Sequence, residues 1–420
     1  MALAPFGREE LMIAEFIEGA SLVLDEKVET ADLRIEDGLI TGIDVARDGA
    51  VLIDGRGRFL APAFVDIHGD AFERQIMPRP GVTVPTEVAL LETDRQLAAN
   101  GIATAYHALT LSWEPGLRSV DMGWQVVRAL QDLSSRLTSD NRIQLRWETF
   151  CSEAEPLIAH MLAGPSRPAL AFNDHTTAAL LHPAIATHDR PFDHADDYPT
   201  ADLAGEAFAR KMNDRAKRAH MSVADYVAMI TNIWARRGKV PRNIERIATL
   251  ARAHDAPMLS HDDSQVQTRT YYRAQGANIA EFPMHERVFM AAKHAGDSIV
   301  LGAPNAMRGG SHLGGPSAGE MIARGLCDIL ASDYYYPSML GAIVRLHADT
   351  VAPLSELWKL VSANPASVMG LMDRGRIGTG LRADLVLIDW PEGGAPVPLR
   401  TWVSGRSGYS ALHNLHDTVR

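Results

Sequence analysis

The chain is poor in cysteine, in long apolar runs and in positive charge, and each scarcity removes a class of protein. Its two cysteines, Cys151 and Cys327, stand far apart, each beside a run that reads as a strand. They point to buried thiols and offer no disulfide framework, so a reducing cytoplasm is the expected home. No stretch reaches the roughly 18 apolar residues of a membrane span. The opening MALAPFGREELMIAEF lacks the basic start and apolar run of an export signal. With 41 Lys plus Arg against 52 Asp plus Glu, the net charge is −11. A general nucleic-acid binder usually carries a basic face that neutralises phosphates, so that class is set aside. A phosphorylated small molecule stays compatible, because a few arginines or a bound metal can reverse the potential inside a pocket.

What is present is 46% hydrophobic and 22% charged, an ordinary globular composition able to bury a large core. From about Ala20 to Leu60, short alternating apolar runs are broken by Asp37-Gly38 and Asp54-Gly55, which reads as antiparallel β structure. GRIGTGLRADLVLIDW and RTWVSGRSGY, near the other end, have the same texture. Residues 1–61 and 368–420 are therefore expected to fold together as one small β-sandwich domain. Over 62–367, eight apolar runs alternate with segments of helical period: AFVDIHGD, GIATAYHAL, IQLRWETF, ALAFNDHT, APMLSHDD, NIAEFPMH, SIVLGAPN and CDILASDYY. This α/β pattern predicts a (β/α)8 TIM barrel. Between runs four and five, residues 177–252 read as a helical insertion over the barrel mouth, either a lid or a contact for a homodimer.

Nearly every run begins apolar and ends in His, Asp, Glu or Asn, which is where barrel active sites collect. His68 and Asp70 lie two apart, so both project to one face of an extended strand and can reach one metal. An isolated His-x-Asp is equally a buried histidine bonded to a carboxylate. Glu148, His175, His261 and Asp333, at the ends of runs three, four, five and eight, tilt the balance towards metal. Three imidazoles and three carboxylates suit a pair of divalent ions bridged by a carboxylate, the arrangement that makes water nucleophilic near neutral pH. Zn leads, with Mn, Fe or Co also matching such mixed ligands. His107 fits no ligand role. Asp262 and Asp263 follow His261 directly, and either orients its ring or is a solvated loop acid. Arg79, just after run one, Asn305 at the end of run seven, and Arg308, Ser311 and His312 just after it are expected to contact substrate phosphate, since glycine- or proline-framed loops and arginine forks suit phosphate oxygens, although such loops equally make rigid turns with surface arginines.

APAFVDIHGD resembles the first-strand motif of the amidohydrolase superfamily, with Asp70 where the second histidine usually stands, and GRIGTGLRADLVLID resembles its closing β segment. More narrowly, HGD…PRPGV, FNDHT, SHDD, AEFP, GAPNAMRGGSH and SDYY, in this order across nearly the whole chain, resemble a diphosphatase family of the carbon–phosphorus lyase pathway. The resemblance implies hydrolysis of a ribose 5-triphosphate at its α-phosphorus, giving a 5-phosphate and pyrophosphate, with Asp333 holding or accepting the proton of the attacking water. One departure stands out: His175 is followed by Thr176-Thr177-Ala178-Ala179-Leu180, where the family carries a Pro-Gly-Gln type loop. Cleavage of an amide or ring C–N bond would use the same metals, and a barrel that lost its metals to become an assembly protein is a third reading.

Overall fold

A computed structural model describes residues 13–310 and 316–411. Eight strands form a parallel barrel in chain order: strand 1 (Phe64–Gly69), strand 2 (Ile102–Leu111), strand 3 (Asp140–Glu148), strand 4 (Ala169–Asn173), strand 5 (Met258–His261), strand 6 (Ile279–Glu281), strand 7 (Ser298–Gly302) and strand 8 (Ile329–Ala331). Strand 8 meets strand 1 through a single parallel bridge, Gly69 to Asp333. There the Asp333 N–H donates to the His68 carbonyl and the Asp70 N–H donates to the Asp333 carbonyl, both at 2.9 Å. The seam thus closes at the mouth, beside the candidate ligands.

These strands read as apolar runs because both faces are buried. Val65, Ile67, Tyr106, Leu259, Ile279, Val300 and Ile329 fill the barrel interior. Neighbours such as Phe64, Ile102, Ile299, Leu301 and Leu330 pack outward against the helices. Pairing of strand 1 with strand 2 slips between Asp66 and Gly69, leaving one extra residue on strand 1. Such a bulge re-aims side chains, and here it falls on His68.

Glu15–Val23, Val28–Glu36, Leu39–Ile43, Val51–Asp54 and Phe59–Pro62 join Leu385–Asp389, Val397–Val403 and Arg406–Ser410 in one sheet. Asp37 and Gly38 both take positive φ, 49° and 82°, as a tight hairpin requires. The sheet is mixed rather than purely antiparallel: Glu15–Val23 runs parallel to both Val51–Asp54 and Phe59–Pro62. Phe59–Pro62 pairs with Leu385–Asp389, so the two ends of the described chain share one sheet around Ile17, Leu33, Leu60, Leu385 and Trp402.

The stretch 177–252 divides in two. Val240–Ala253 buries Val240, Ile244, Ile247 and Ala251 against the barrel core and serves as the helix leading into strand 5. The added part comprises Glu206–Arg218 and Val223–Trp234. They pack on His175–Leu180 through Phe208, Met212, Tyr226 and Ile230, with Trp113 against them. Among the described residues, no helix is long and apolar enough to cross a membrane.

Candidate metal centre

Three groups of side chains bring ligand atoms within 4.8 Å of one another: His68 with Asp70 and Asp333, His175 with His261 and Asp262, and His68 with His261 and Glu281. All come from strand ends or the residues just beyond them. Asp262, Phe282 and Asp333, which follow strands 5, 6 and 8, have φ of 60°, 52° and 55°. The chain therefore turns sharply as it leaves each strand. Aspartate tolerates this left-handed conformation, whereas a phenylalanine there is strained. The Phe282 ring lies edge-on to both His68 and His261, with centroids 4.9 and 5.1 Å away.

Two buried glutamates fix the histidines. Glu281 Oε1 lies 3.0 Å from His68 Nδ1 and accepts from Gln144 Nε2 at 2.7 Å. Glu148 Oε1 lies 2.7 Å from His175 Nδ1 and accepts from Asn173 Nδ2 at 2.9 Å, while its Oε2 accepts the His175 N–H at 3.1 Å. A carboxylate on Nδ1 sets the tautomer and leaves Nε2 for an ion. The donor set fits a divalent metal on a further ground. His261 Nδ1 sits 3.0 Å from Asp262 Oδ2 without hydrogen-bond geometry, and Glu281 Oε2 is buried with no partner. Atoms held close but unbonded are what a shared cation requires.

Arg146, two residues before Glu148 on strand 3, reaches between the groups. Its Nη1 is 3.6 Å from Asp70 Oδ2 and its Nη2 is 3.1 Å from His261 Nε2. Burial pulls the His261 imidazole down to about 4, so it is neutral at neutral pH, as a ligand must be. Burial would raise Glu148, but the charges of His175 and Arg146 and hydrogen bonds from His175 and Asn173 hold it at about 2. Burial pushes Asp333 up to about 6, with Asp70 adding to the rise and His68 and Arg146 opposing it. For His68, burial is outweighed by Glu281, and the pKa rises.

Five of the six ligands expected from sequence, His68, Asp70, His175, His261 and Asp333, fall into these groups. Glu148 joins none, because its oxygens are committed to His175 and Asn173. Asp262, left undecided from sequence, takes part. Asp263 instead pairs with Arg269 in the core at 3.3 Å. His107 is buried on strand 2 with its Nε2 2.8 Å from Asn141 Oδ1.

A cleft of about 290 Å³ opens beside the groups, lined by His68, Arg146, His261, Asp262 and Asp333 together with Phe282, Met284, Leu301 and Pro304. Asn305 lines it, but its amide is used to brace the chain, donating to Pro316 O at 3.2 Å and accepting from the Ala318 N–H at 3.1 Å. Arg79 is exposed in the turn Arg79–Val82, and Arg308 is exposed at the end of Ala303–Arg308; neither lines this cleft. Ser311 and His312 lie outside the described residues. Arg146 and Glu281 were missed in the sequence. The signal was there: Arg146 shares a strand face with Glu148, and Glu281 ends the sixth run as other candidates end theirs.

No protein-family model matches the chain. The curated protein alpha-D-ribose 1-methylphosphonate 5-triphosphate diphosphatase of Escherichia coli (strain K12) is 30% identical over 377 residues, covering 88% of this chain and 94% of that protein. Molinate hydrolase has a similar structure, with a TM-score of 0.60 at 12% identity, covering 94% of each chain. So does a Xanthomonas campestris adenosine deaminase solved with bound zinc, at 0.60 and 13%, covering 97% of this chain and 95% of that one. A D-hydantoinase from Bacillus sp. AR9 scores 0.59 at 11%, covering 94% of each. At these identities the solved structures speak for the fold alone, and it is the likeness to the E. coli protein over most of both chains that decides the matter: the chain belongs to the α-D-ribose 1-methylphosphonate 5-triphosphate diphosphatase family and is a hydrolase, with strand-end groups that fit a divalent metal.

Proposed function

We propose that this hydrolase cleaves α-D-ribose 1-methylphosphonate 5-triphosphate, or a closely related phosphorylated ribosyl compound, to the 5-phosphate and pyrophosphate in phosphonate catabolism. The observation that carries the reading is the pair of ligand groups flanking Arg146. His68, Asp70 and Asp333 would hold one ion and His175, His261 and Asp262 a second, with Glu281 and Glu148 orienting His68 and His175. Zinc suits the set best, and Mn, Fe or Co are compatible with it. Such ions, when bound, lower the pKa of water and offset charge on phosphate oxygens.

The chain's own residues supply the rest. Arg146 presents a guanidinium fork between the two groups, where it can neutralise an α-phosphate oxygen as charge develops. Water attacks the α-phosphorus, the bond from that phosphorus to the bridging oxygen of the β-phosphate breaks, and pyrophosphate departs. Asp333, raised to about 6 by burial, takes the water's proton on its carboxylate. At this face the segment after His175 is helical, capped by Asp174 accepting the Thr177 N–H at 2.7 Å. Trp113 donates to Thr176 Oγ1 at 2.9 Å. The family's loop differs here, so this is where a related substrate would be discriminated.

Metal quantification paired with a pyrophosphate assay on the wild type and Asp333→Asn tests the reading. Expected are two ions per wild-type chain, pyrophosphate release, and a fall in kcat of about 10²–10⁴ for the variant, the usual worth of a proton acceptor. Hydrolysis of hydantoins or N-acyl amino acids with no pyrophosphate release would replace it with C–N bond cleavage.

A further inference from the structure

A second depression, about 110 Å³, is lined by His175 and Glu148 together with Ser112, Arg118, Arg215 and Arg218. A neighbouring hollow of about 240 Å³ shares Glu114, Arg118, Arg215 and Arg218 with it. Together they make a trough leading outward from the candidate metal centre. Its arginines have two origins. Arg118 belongs to the loop after strand 2, whereas Arg215 and Arg218 occupy the last turn of Glu206–Arg218, the helix added over the mouth.

Two of the three forks are held in place. Arg118 is bonded by Glu73 through Nε at 3.0 Å and Nη2 at 2.8 Å. Arg215 Nη1 lies 3.3 Å from Glu114 Oε1, which Tyr226 also bonds. Arg218 is exposed and has no carboxylate partner among the described residues. Glu73 and Glu114 each already hold an arginine and Glu148 holds His175, so Arg218 is the unpaired charge of the trough, and donors remain unused on all three forks. The cleft at the centre adds Phe282, Met284, Leu301 and Pro304 to its polar lining and has Arg146 as its one arginine, so the two hollows differ in the chemistry they accept.

We propose that the Arg118–Arg215–Arg218 trough is the polyphosphate subsite, receiving the β- and γ-phosphates that leave as pyrophosphate, while the sugar end lies in the cleft walled by Phe282 and Leu301. The substrate thus lies across the centre with its α-phosphorus at the ligand groups and Arg146. The inserted helix gives the barrel its specificity for a polyphosphate tail. This orientation rests on the diphosphatase reading, but the subsite is measurable without turnover.

The test is calorimetric titration of inorganic tripolyphosphate, and separately of ribose 5-phosphate, into the zinc-loaded full chain and into Arg218→Ala, Arg218→Lys and Arg308→Ala. Arg218 is exposed near a helix end, so its replacement leaves the core intact. Expected is a loss of about tenfold in tripolyphosphate affinity for Arg218→Ala, the size of one charge-assisted contact. Arg218→Lys should recover most of it, and ribose 5-phosphate affinity should stay within about twofold throughout. Equal tripolyphosphate affinity in wild type and Arg218→Ala, or a loss confined to Arg308→Ala, overturns the subsite. Arg218-dependent tripolyphosphate binding by a protein that releases no pyrophosphate from triphosphates would keep the subsite and remove the reaction assigned above.

Discussion

Replacing Glu148 by glutamine separates its orienting role from that of a ligand. The side chain is buried and bonds His175 Nδ1, Asn173 Nδ2 and the His175 N–H. Its carboxyl is held at about 2 against an ordinary 4.5, which corresponds to about 3 kcal/mol of native-state stabilisation at neutral pH, at roughly 1.4 kcal/mol per tenfold. Counting bonds leads to the same place. Glutamine keeps an acceptor but loses the charge, forfeiting one or two charge-assisted bonds of about 1.5–3 kcal/mol each. Because the folded value lies below the unfolded one, the contribution is complete above pH 4.5 and fades as pH falls from there towards 2. Urea unfolding of the metal-free wild type and Glu148→Gln should therefore differ by about 3 kcal/mol near neutral pH and by clearly less near pH 3. A difference under about 1 kcal/mol at neutral pH, or one that does not shrink on acidification, would refute the reasoning.

Glu281→Gln removes the carboxylate that sets the His68 tautomer. Competition with a chromophoric chelator should show zinc affinity lowered by about 10–100-fold, and unchanged affinity would take Glu281 out of the centre. Arg269→Met leaves the buried Asp263 carboxylate, 3.3 Å from the lost fork, without an ionic partner, whereas Asp297 keeps Arg273 at 2.9 Å. A loss of about 3–5 kcal/mol in chemical denaturation is expected, with partial recovery on adding Asp263→Asn. Gly375→Ala would place a Cβ 2.7 Å from the Ser362 carbonyl at φ +82°, costing about 1–3 kcal/mol. An unaltered Tm for that variant would mean that the backbone yields there.

The barrel was readable because strands buried on both faces leave continuous apolar runs, nearly all finished by a polar residue. Its closure was not, since the Gly69–Asp333 bridge depends on two segments some 260 residues apart in pairing and on the bulge at His68. The helical period runs unbroken to 252, which hides where the insertion ends. Only packing reveals that Val240–Ala253 belongs to the barrel. In the site, strand-end position found the histidines, but the direction of the Asp262 carboxylate comes from a positive φ that no residue pattern announces. Arg79 and Arg308 drew attention through their glycine-framed loops, while the arginines beside His175 include two delivered by a helix whose place over the mouth is set by Phe208, Met212 and Tyr226. Glu148, expected as a ligand from its position, has His175 as its partner in the structure.

The reaction itself is tested most directly by turnover of α-D-ribose 1-methylphosphonate 5-triphosphate with the zinc-loaded protein in water enriched in oxygen-18. Attack on the α-phosphorus beside Arg146 puts one labelled oxygen into the 5-phosphate and none into the pyrophosphate. Label in the pyrophosphate, or release of orthophosphate instead, would contradict it.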